Sequence, residues 1–323
     1  MSSTLGATRV VAFGGGHGLA AVLRAARRVT PMLTAIVTVA DNGGSSGRLR
    51  AEFNALPPGD LRMALAALCG DDDWGRNWAD LMQYRFTSQG ELDGHALGNL
   101  LLAALWDRDG DPVRGLDRVG ELLKVVGRVL PMALAPLDIE GTFRSWQGIQ
   151  VIRGQQQVAL GKGALENLRL IPEDVLPTPE AIAAIESADY LTLGPGSWFS
   201  SVLPHLLLKE QRDAICRSKG KKIVILNLDA APEMSGEELA GSSPAEHLRQ
   251  LHRYAPELRI DVALADQSIL AHDDLARELS TLVGQLGGQL IVRDLATHPG
   301  SKDHDPEKLT SVFAHIFTGE VIR

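Results

Sequence analysis

Residues Ala40 to Arg48 read Ala-Asp-Asn-Gly-Gly-Ser-Ser-Gly-Arg and follow the apolar run Thr34 to Val39. An acidic residue, Asp41, therefore stands at the end of a predicted buried strand, followed by Asn42, Gly43, Gly44, Ser45, Ser46 and Gly47. Glycine tolerates positive φ and leaves its backbone N–H uncovered, and two hydroxyls add donors, so this turn can wrap an anionic oxygen. The chemistry it suggests is phosphate binding. Composition alone would favour a flexible surface loop, but such loops seldom sit between a core strand and an amphipathic stretch such as Leu49 to Leu56.

Two further glycine-rich turns, Gly14-Gly15-Gly16-His17-Gly18 and Gly194-Pro195-Gly196-Ser197, also follow predicted strands. In a parallel sheet the loops after the strands share one edge, where open α/β folds bind ligands, so the three turns can converge on one site. The first and third open predicted helices, whose N-termini offer unpaired N–H groups and partial positive charge to an anion. Gly16-His17-Gly18-Leu19-Ala20-Ala21 also satisfies the looser dinucleotide fingerprint, with Asp41 where a ribose-binding carboxylate belongs. That keeps an NAD-dependent oxidoreductase as a weaker alternative, against which stands the second phosphate-type turn directly after Asp41. No Gly-Lys-Ser or Gly-Lys-Thr follows a glycine turn, so the chain lacks a P-loop.

Other polar residues carry less. His17 fits a phosphate contact or the end of a turn equally well. In Pro57-Pro58-Gly59-Asp60 the aspartate reads as the N-cap of a helix over Leu61 to Leu68, ahead of any catalytic role. Gln83, His95 and Asn99 fit ligand lining or, more ordinarily, solvated and capping roles. His205, His252 and His298 have no zinc-site spacing, and no metal site is predicted. The acidic run Asp71-Asp72-Asp73 reads as a solvated face or an interaction surface.

The elements that must position these turns alternate. Strands are predicted at Arg9 to Phe13, Thr34 to Val39, Tyr190 to Leu193, Ile223 to Leu228, Ile260 to Ala265 and Gln289 to Arg293. Helices are predicted at Leu19 to Val29, Asn77 to Arg85, His95 to Trp106, Pro112 to Val126, Pro179 to Ser187, Val202 to Arg217, Pro244 to Tyr254, Asp273 to Gly284 and Pro306 to Phe317. Between Val129 and Leu170 short β-prone pieces, among them Thr142 to Trp146, Gln150 to Arg153 and Gln157 to Leu160, point to a small antiparallel excursion. The expected fold is a Rossmann-like α/β domain spanning residues 1 to 323, with a mostly parallel sheet, a helical block and that excursion over 129 to 170.

With 323 residues, 45% of them hydrophobic, the chain can bury a large core. A net charge of −8 disfavours a nucleic-acid partner, which would need a basic face. Two cysteines, Cys69 and Cys216, cannot make a disulfide framework and fit a reducing cytoplasm. The run Val10 to Phe13 is too brief for a signal h-region or a membrane span, so neither export nor membrane insertion is expected.

The stretches Gly14 to Leu19, Thr38 to Arg50, Leu56 to Arg62, Gln83 to Phe86, Gly94 to Leu105 and Leu193 to Pro204, in this order, resemble the gluconeogenesis factor family, which belongs with the 2-phospho-L-lactate transferases. The resemblance covers the N-terminal third closely and the rest in patches. It implies a cytoplasmic Rossmann-like protein that binds a nucleotide-linked ligand. In the transferase branch that means a guanylylated phospholactate donor, a deazaflavin acceptor and a divalent metal. The gluconeogenesis-factor branch looks instead like a regulator that binds a UDP-sugar such as UDP-N-acetylglucosamine and is connected with cell-wall synthesis and cell shape during gluconeogenic growth. The segments around Asp41 and Gln83-Tyr84-Arg85-Phe86 look like this second branch.

On that resemblance Gly14, Gly15, Gly16, His17 and Gly18 with Gly43, Gly44, Ser45 and Ser46 would hold a diphosphate. Asp41 would bind ribose hydroxyls or an ion and is the candidate catalytic residue, with Asn42 beside it. Gly194, Gly196 and Ser197 would close the site, and Asn99 and Asn227 would orient base or sugar. No cofactor is required beyond the nucleotide-sugar ligand, with Mg only if the chain is transferase-like. Regulatory protein partners and a homo-oligomer are expected. Departures from the family pattern are His17 for threonine, Asn42 for a second aspartate and Met63 for asparagine. An amide lacks the charge a hard divalent cation favours, so metal chemistry that needed two adjacent aspartates would be impaired. Glu246 before His247, and the segment Asp229 to Gly236, match the family only loosely.

Overall fold

The computed structural model describes residues 7–146, 148–228 and 243–318; the segment Asp229 to Gly236 lies outside these. Seven parallel strands form the main sheet: β1 (Val10–Gly14), β2 (Leu33–Val37), β3 (Arg128–Pro131), β7 (Tyr190–Leu193), β8 (Lys221–Ile225), β9 (Val262–Asp266) and β10 (Gln289–Arg293). Their spatial order is β10-β9-β8-β7-β1-β2-β3. Numbered among the parallel strands alone this is the Rossmann order, extended by one strand at the β10 edge. The order reverses at β1, which pairs with β2 on one side and β7 on the other.

The central strands are continuous apolar runs because both faces are covered. Every residue of β1 is buried, and the helix after it, α1 (Gly16–Ala26), buries Leu19, Ala20, Val22, Leu23, Ala25 and Ala26. This helix packs against α3 (Pro58–Leu68) and α13 (Pro306–Thr318), while α8 (Pro179–Ser187) meets α10 (Lys209–Arg217). The helical block consists of α2 (Gly44–Phe53), α3, α4 (Asp73–Gln83), α5 (Leu97–Asp109) and α6 (Pro112–Leu123). A separate three-stranded antiparallel sheet joins β4 (Asp138–Ser145) to β5 (Gly148–Arg153) and β6 (Ala164–Ile171) in the order β5-β4-β6. Arg50 of α2 ties it to the block through an ion pair with Asp138 at 2.7 Å.

Several expectations change. Val129 and Leu130 belong to β3 of the main sheet, so the β excursion begins at Asp138. The piece Gln157 to Leu160 is not β: helix α7 (Gln155–Ala159) occupies it. The helix expected over Val202 to Arg217 is broken into a π-turn at Trp198–Val202, then α9 (Pro204–Leu207), then α10. The supposed turn Asp41 to Gly47 already becomes helix at Gly44. Asp60 is not an N-cap: α3 starts at Pro58, a residue suited to a first helical position because it has no N–H to leave unpaired. The acidic run is used locally, since Asp71 pairs with Arg27 at 2.6 Å and with Arg28, and Asp72 caps α4 by accepting from the Gly75 N–H. Among the described residues no helix is long and apolar enough to cross a membrane.

Candidate functional site

A cleft of about 720 Å³ opens at the carboxyl ends of β1 and β7, where the strand order reverses. Its floor is the β1–α1 turn, Gly15 to Gly18, and its opposite wall is Pro195, Gly196 and Ser197. The two turns nearly touch. A Cβ on Gly18 would overlap the Pro195 carbonyl and lie 2.8 Å from the Gly196 Cα, so only glycine fits. Gly194 and Gly196 take φ of +76° and +129°, which favours glycine there too.

The N-cap residue of α1, Gly15, has no side chain to cap the helix; the Gly16 N–H faces the Asp60 carboxyl, and the N–H groups after it are available to whatever occupies the cleft. Asn227, just after β8, holds the opposite wall. Its Oδ1 accepts from the Gly196 N–H and its Nδ2 donates to the Gly196 carbonyl, both at 3.0 Å. The side-chain amide is thereby spent on positioning the turn. Ser197 and Ser200 share a hydrogen bond, and the Ser201 N–H donates to the Ser197 carbonyl at 2.8 Å, seating the wall on the π-turn.

Asp60 is the charged group at the floor, and it was not recognisable as such in the sequence. A Cβ on Gly15 would run into its Oδ2 and lie 2.7 Å from the Thr38 methyl, so the β1–α1 turn is packed tightly over the carboxyl. The Asp60 Oδ2 is shielded from solvent and lacks a hydrogen-bond partner. Burial and the nearby Asp41 charge push the Asp60 pKa up to about 7, opposed by the Gly16 N–H, Arg62 and the Gln155 side chain. Burial likewise pulls the Arg62 guanidinium down to about 10, with Arg85 adding to the effect.

The turn holding Asp41 stands beside this floor and is not a wall of the cleft. Asp41 accepts from the Gly43 N–H at 2.9 Å, and its Oδ2 would be 3.0 Å from a Cβ on Gly59. Ser45 is buried and committed: it accepts from the Asn99 amide at 3.0 Å and lies 3.0 Å from His95 Nδ1. With its oxygen accepting from Asn99, the hydroxyl is left to donate to His95, which burial and Arg48 keep below its ordinary pKa. Ser46 is buried too, with its Oγ against Gly59. Thus Gly15, Gly16, His17, Gly18, Gly196, Ser197 and Asn227 meet at the cleft, whereas Gly14, Asp41 to Ser46, Asn99 and Gly194 lie behind or beside it.

The outer wall comes from segments the sequence did not single out: Thr297, Lys302, Asp303 and His304 before α13, with Arg24 on α1 and Gln155 on α7. His304 is buried, and its pKa falls to about 4 while it bonds the Leu226 backbone. His205 is also buried, 3.4 Å from the Gly14 carbonyl and bonded to Gln211 at 3.0 Å, so it braces β1 from behind.

A divalent metal is implied by the transferase resemblance. Among the described residues no three of His, Cys, Asp and Glu come together to hold one. The two acidic side chains that do approach, Asp41 and Asp60, already face amide donors: Gly43 for the first, Gly16 and Gln155 for the second. Asn42, the neighbour of Asp41, is an amide and adds no charge. By themselves these residues form no resident metal centre: a Mg ion there would need waters and a bound phosphate to complete its oxygen shell.

Comparisons with known proteins agree with this architecture. The family described as 2-phospho-L-lactate transferase CofD matches residues 10–286. Relatives named gluconeogenesis factor include one from Mycobacterium tuberculosis, 43% identical over 316 residues that cover 97% of this chain and 91% of the relative. Another, from Listeria monocytogenes, is 35% identical and covers 93% of each chain. A crystal structure of a Bacillus halodurans protein of the UPF0052 family has a TM-score of 0.79 at 31% identity, covering 94% of this chain and 98% of its own. The chain therefore belongs to the 2-phospho-L-lactate transferase CofD family and stands among its gluconeogenesis factors.

Proposed function

We propose that this protein is a regulator that binds a nucleotide-linked sugar, of the UDP-N-acetylglucosamine type, and reports its level to partner proteins. The observation that carries the reading is the close approach of Gly18 to Pro195 and Gly196 at the point where the strand order reverses. That approach sets the N-terminus of α1 against a second glycine turn, an arrangement suited to a diphosphate. The diphosphate is assigned to Gly15 to Gly18 with Gly196 and Ser197; the sugar and base extend along the wall of Thr297, Lys302 and His304. The Asp41 to Ser46 turn supports the floor from behind.

Regulation is preferred to transfer because relatives across most of the chain carry the name gluconeogenesis factor, and because among the described residues no third carboxylate, histidine or thiol joins Asp41 and Asp60. The role in cell shape and cell-wall synthesis, the cytoplasmic setting, self-association and the protein partners belong to the same proposal. The family description itself keeps a phospholactate transferase as the second reading. The test is a thermal-shift series with UDP-N-acetylglucosamine, GDP and NADH, run beside a turnover assay with guanylylated phospholactate, a deazaflavin and Mg. Selective stabilisation by the UDP-sugar without turnover supports the regulator; Mg-dependent turnover replaces it with the transferase, and selective stabilisation by NADH with the oxidoreductase.

A further inference from the structure

The cleft runs along α1 beyond the glycine turn. Gly18, Ala21 and Arg24 line it in succession, three residues apart and so on one stripe of the helix. At 1.5 Å of rise per residue, Arg24 stands about 9 Å along the axis from Gly18. Between them the stripe carries only glycine and alanine, which leaves a groove where a ring can lie against the helix. Long side chains on a helix lean toward its N-terminus, so the Arg24 guanidinium leans back over this groove. Arg24 is exposed and has no ion-pair or hydrogen-bond partner among the described residues. Its neighbours on the same helical stretch are spent: Arg27 pairs with Asp71 at 2.6 Å, and Arg28 pairs with Asp71 at 3.3 Å and with Glu307. Across the groove stand Lys302, Asp303 and Pro306. Two cations against one carboxylate make this end of the cleft positive, in a chain whose net charge is −8.

We infer that the cleft selects nucleotide sugars whose sugar carries a carboxylate, and that Arg24 is the residue that reads it. The inference rests on the diphosphate placement proposed above and narrows the ligand from nucleotide sugars in general to acidic ones. With the diphosphate between Gly18 and Gly196, the sugar on its outer phosphoryl group lies over Ala21, and a carboxylate on the far side of the ring meets the guanidinium. The diphosphate has its own donors in the N–H groups of α1 and of the second glycine turn, so Arg24 is left over for another anion. A guanidinium presents a fixed fork of donors that matches a carboxylate, whereas a neutral sugar hydroxyl fills it poorly. Lys302 on the facing wall adds positive charge, and Asp303 tempers it.

The experiment is isothermal titration of the full chain with UDP-N-acetylglucosamine and with UDP-N-acetylglucosaminuronic acid, which differs by a carboxylate at C6, both without divalent cations. The readout is the ratio of the two affinities. In wild type the acid should bind roughly fivefold to tenfold more tightly at low salt. That preference should shrink as salt is raised. Arg24→Gln should bring the ratio to about one, and Arg24→Lys, which keeps the charge without the fork, should retain part of it. Equal affinities in wild type, or a preference that survives Arg24→Gln, overturn the inference. In particular, equal weakening of both ligands by Arg24→Gln would assign the side chain to the diphosphate. A lower melting temperature with the ratio intact would assign it to the C-terminal dipole of α1. If UDP-N-acetylglucosamine binds and the acid binds no better, the nucleotide-sugar reading stands and the inference falls. If only the acid binds, the inference stands and the neutral sugar is struck from the reading. If neither binds, both fall.

Discussion

The side-chain amide of Asn227 pairs in both directions with the peptide of Gly196, each hydrogen bond 3.0 Å long. This contact between the end of β8 and the turn after β7 fixes one wall of the cleft, because a glycine held at φ of +129° has no side chain of its own to anchor it. Removing the amide with Asn227→Ala leaves a donor and an acceptor of Gly196 without partners. The expected cost is roughly 1–2 kcal/mol in the closed arrangement of the turn. UDP-N-acetylglucosamine affinity should fall about tenfold by calorimetry while the melting temperature drops only a few degrees.

Two glycines separate the contributions of the two phosphate-type turns. Gly18→Ala forces a methyl group into the Pro195 carbonyl and the Gly196 Cα, both backbone, so it should abolish ligand binding and destabilise the fold by roughly 1–3 kcal/mol. At Gly44 a Cβ meets nothing within 4 Å, and only its φ of +49° opposes a side chain. Gly44→Ala should therefore cost about 1 kcal/mol of stability and leave affinity within a few-fold of wild type. Denaturant titration and calorimetry on both variants check this, and loss of binding in Gly44→Ala would return the diphosphate to the Asp41 to Ser46 turn.

Acid should unfold the protein early. His205, His247 and His304 are buried, and burial lowers their pKa values to about 4, 3 and 4 from an ordinary 6.5. Between 6.5 and these values the unfolded chain binds protons that the folded chain refuses, so stability is present above 6.5 and is lost as pH falls through that window. Asp60 acts in the opposite sense. Its folded pKa of about 7 lies above its ordinary 3.8, so its contribution favours the fold below 3.8 and is lost as pH rises through 7. Urea denaturation should show a steep decline from about pH 6.5 to 4 in wild type, and Asp60→Asn should gain stability relative to wild type only toward alkaline pH.

Asn42 offers a direct test of the metal argument. Its Oδ1 is buried without a hydrogen-bond partner, one residue from Asp41. Asn42→Asp should place an added charge there, lower stability near pH 8 by roughly 1–3 kcal/mol, and recover that loss with millimolar Mg. Wild type should show no Mg-dependent shift in melting temperature. A Mg shift as large in wild type as in the variant would contradict the account.

Much of the frame was legible in the sequence because it rests on local pattern. Val10 to Phe13 and Tyr190 to Leu193 are apolar runs ending in glycine, and their pairing at the reversal point follows from parallel topology. What the sequence hid depends on tertiary contact. Asp60 looked like a cap because Pro57-Pro58-Gly59 precedes it; nothing local reveals that α3 brings it beneath Gly15. Residues 44–47 looked like a loop because glycine and serine are poor helix formers, yet the burial of Ser45 against His95 and Asn99 holds α2 in place. Asn227 lines the cleft with its amide paired to Gly196, and Asn99 stands beside it with its amide N–H donating to Ser45, roles that depend on tertiary contact. The wall at Thr297 to His304 carries no motif, and only the packing of α13 against α1 brings it to the cleft.

The measurement that bears most directly on the central claim is calorimetric titration of the full chain with UDP-N-acetylglucosamine, with and without Mg, beside Gly18→Ala. The account predicts saturable binding to wild type that is indifferent to Mg, and none to the variant. Absence of binding to wild type, or binding that Gly18→Ala leaves intact, would contradict the placement of a nucleotide-sugar diphosphate between Gly18 and Gly196.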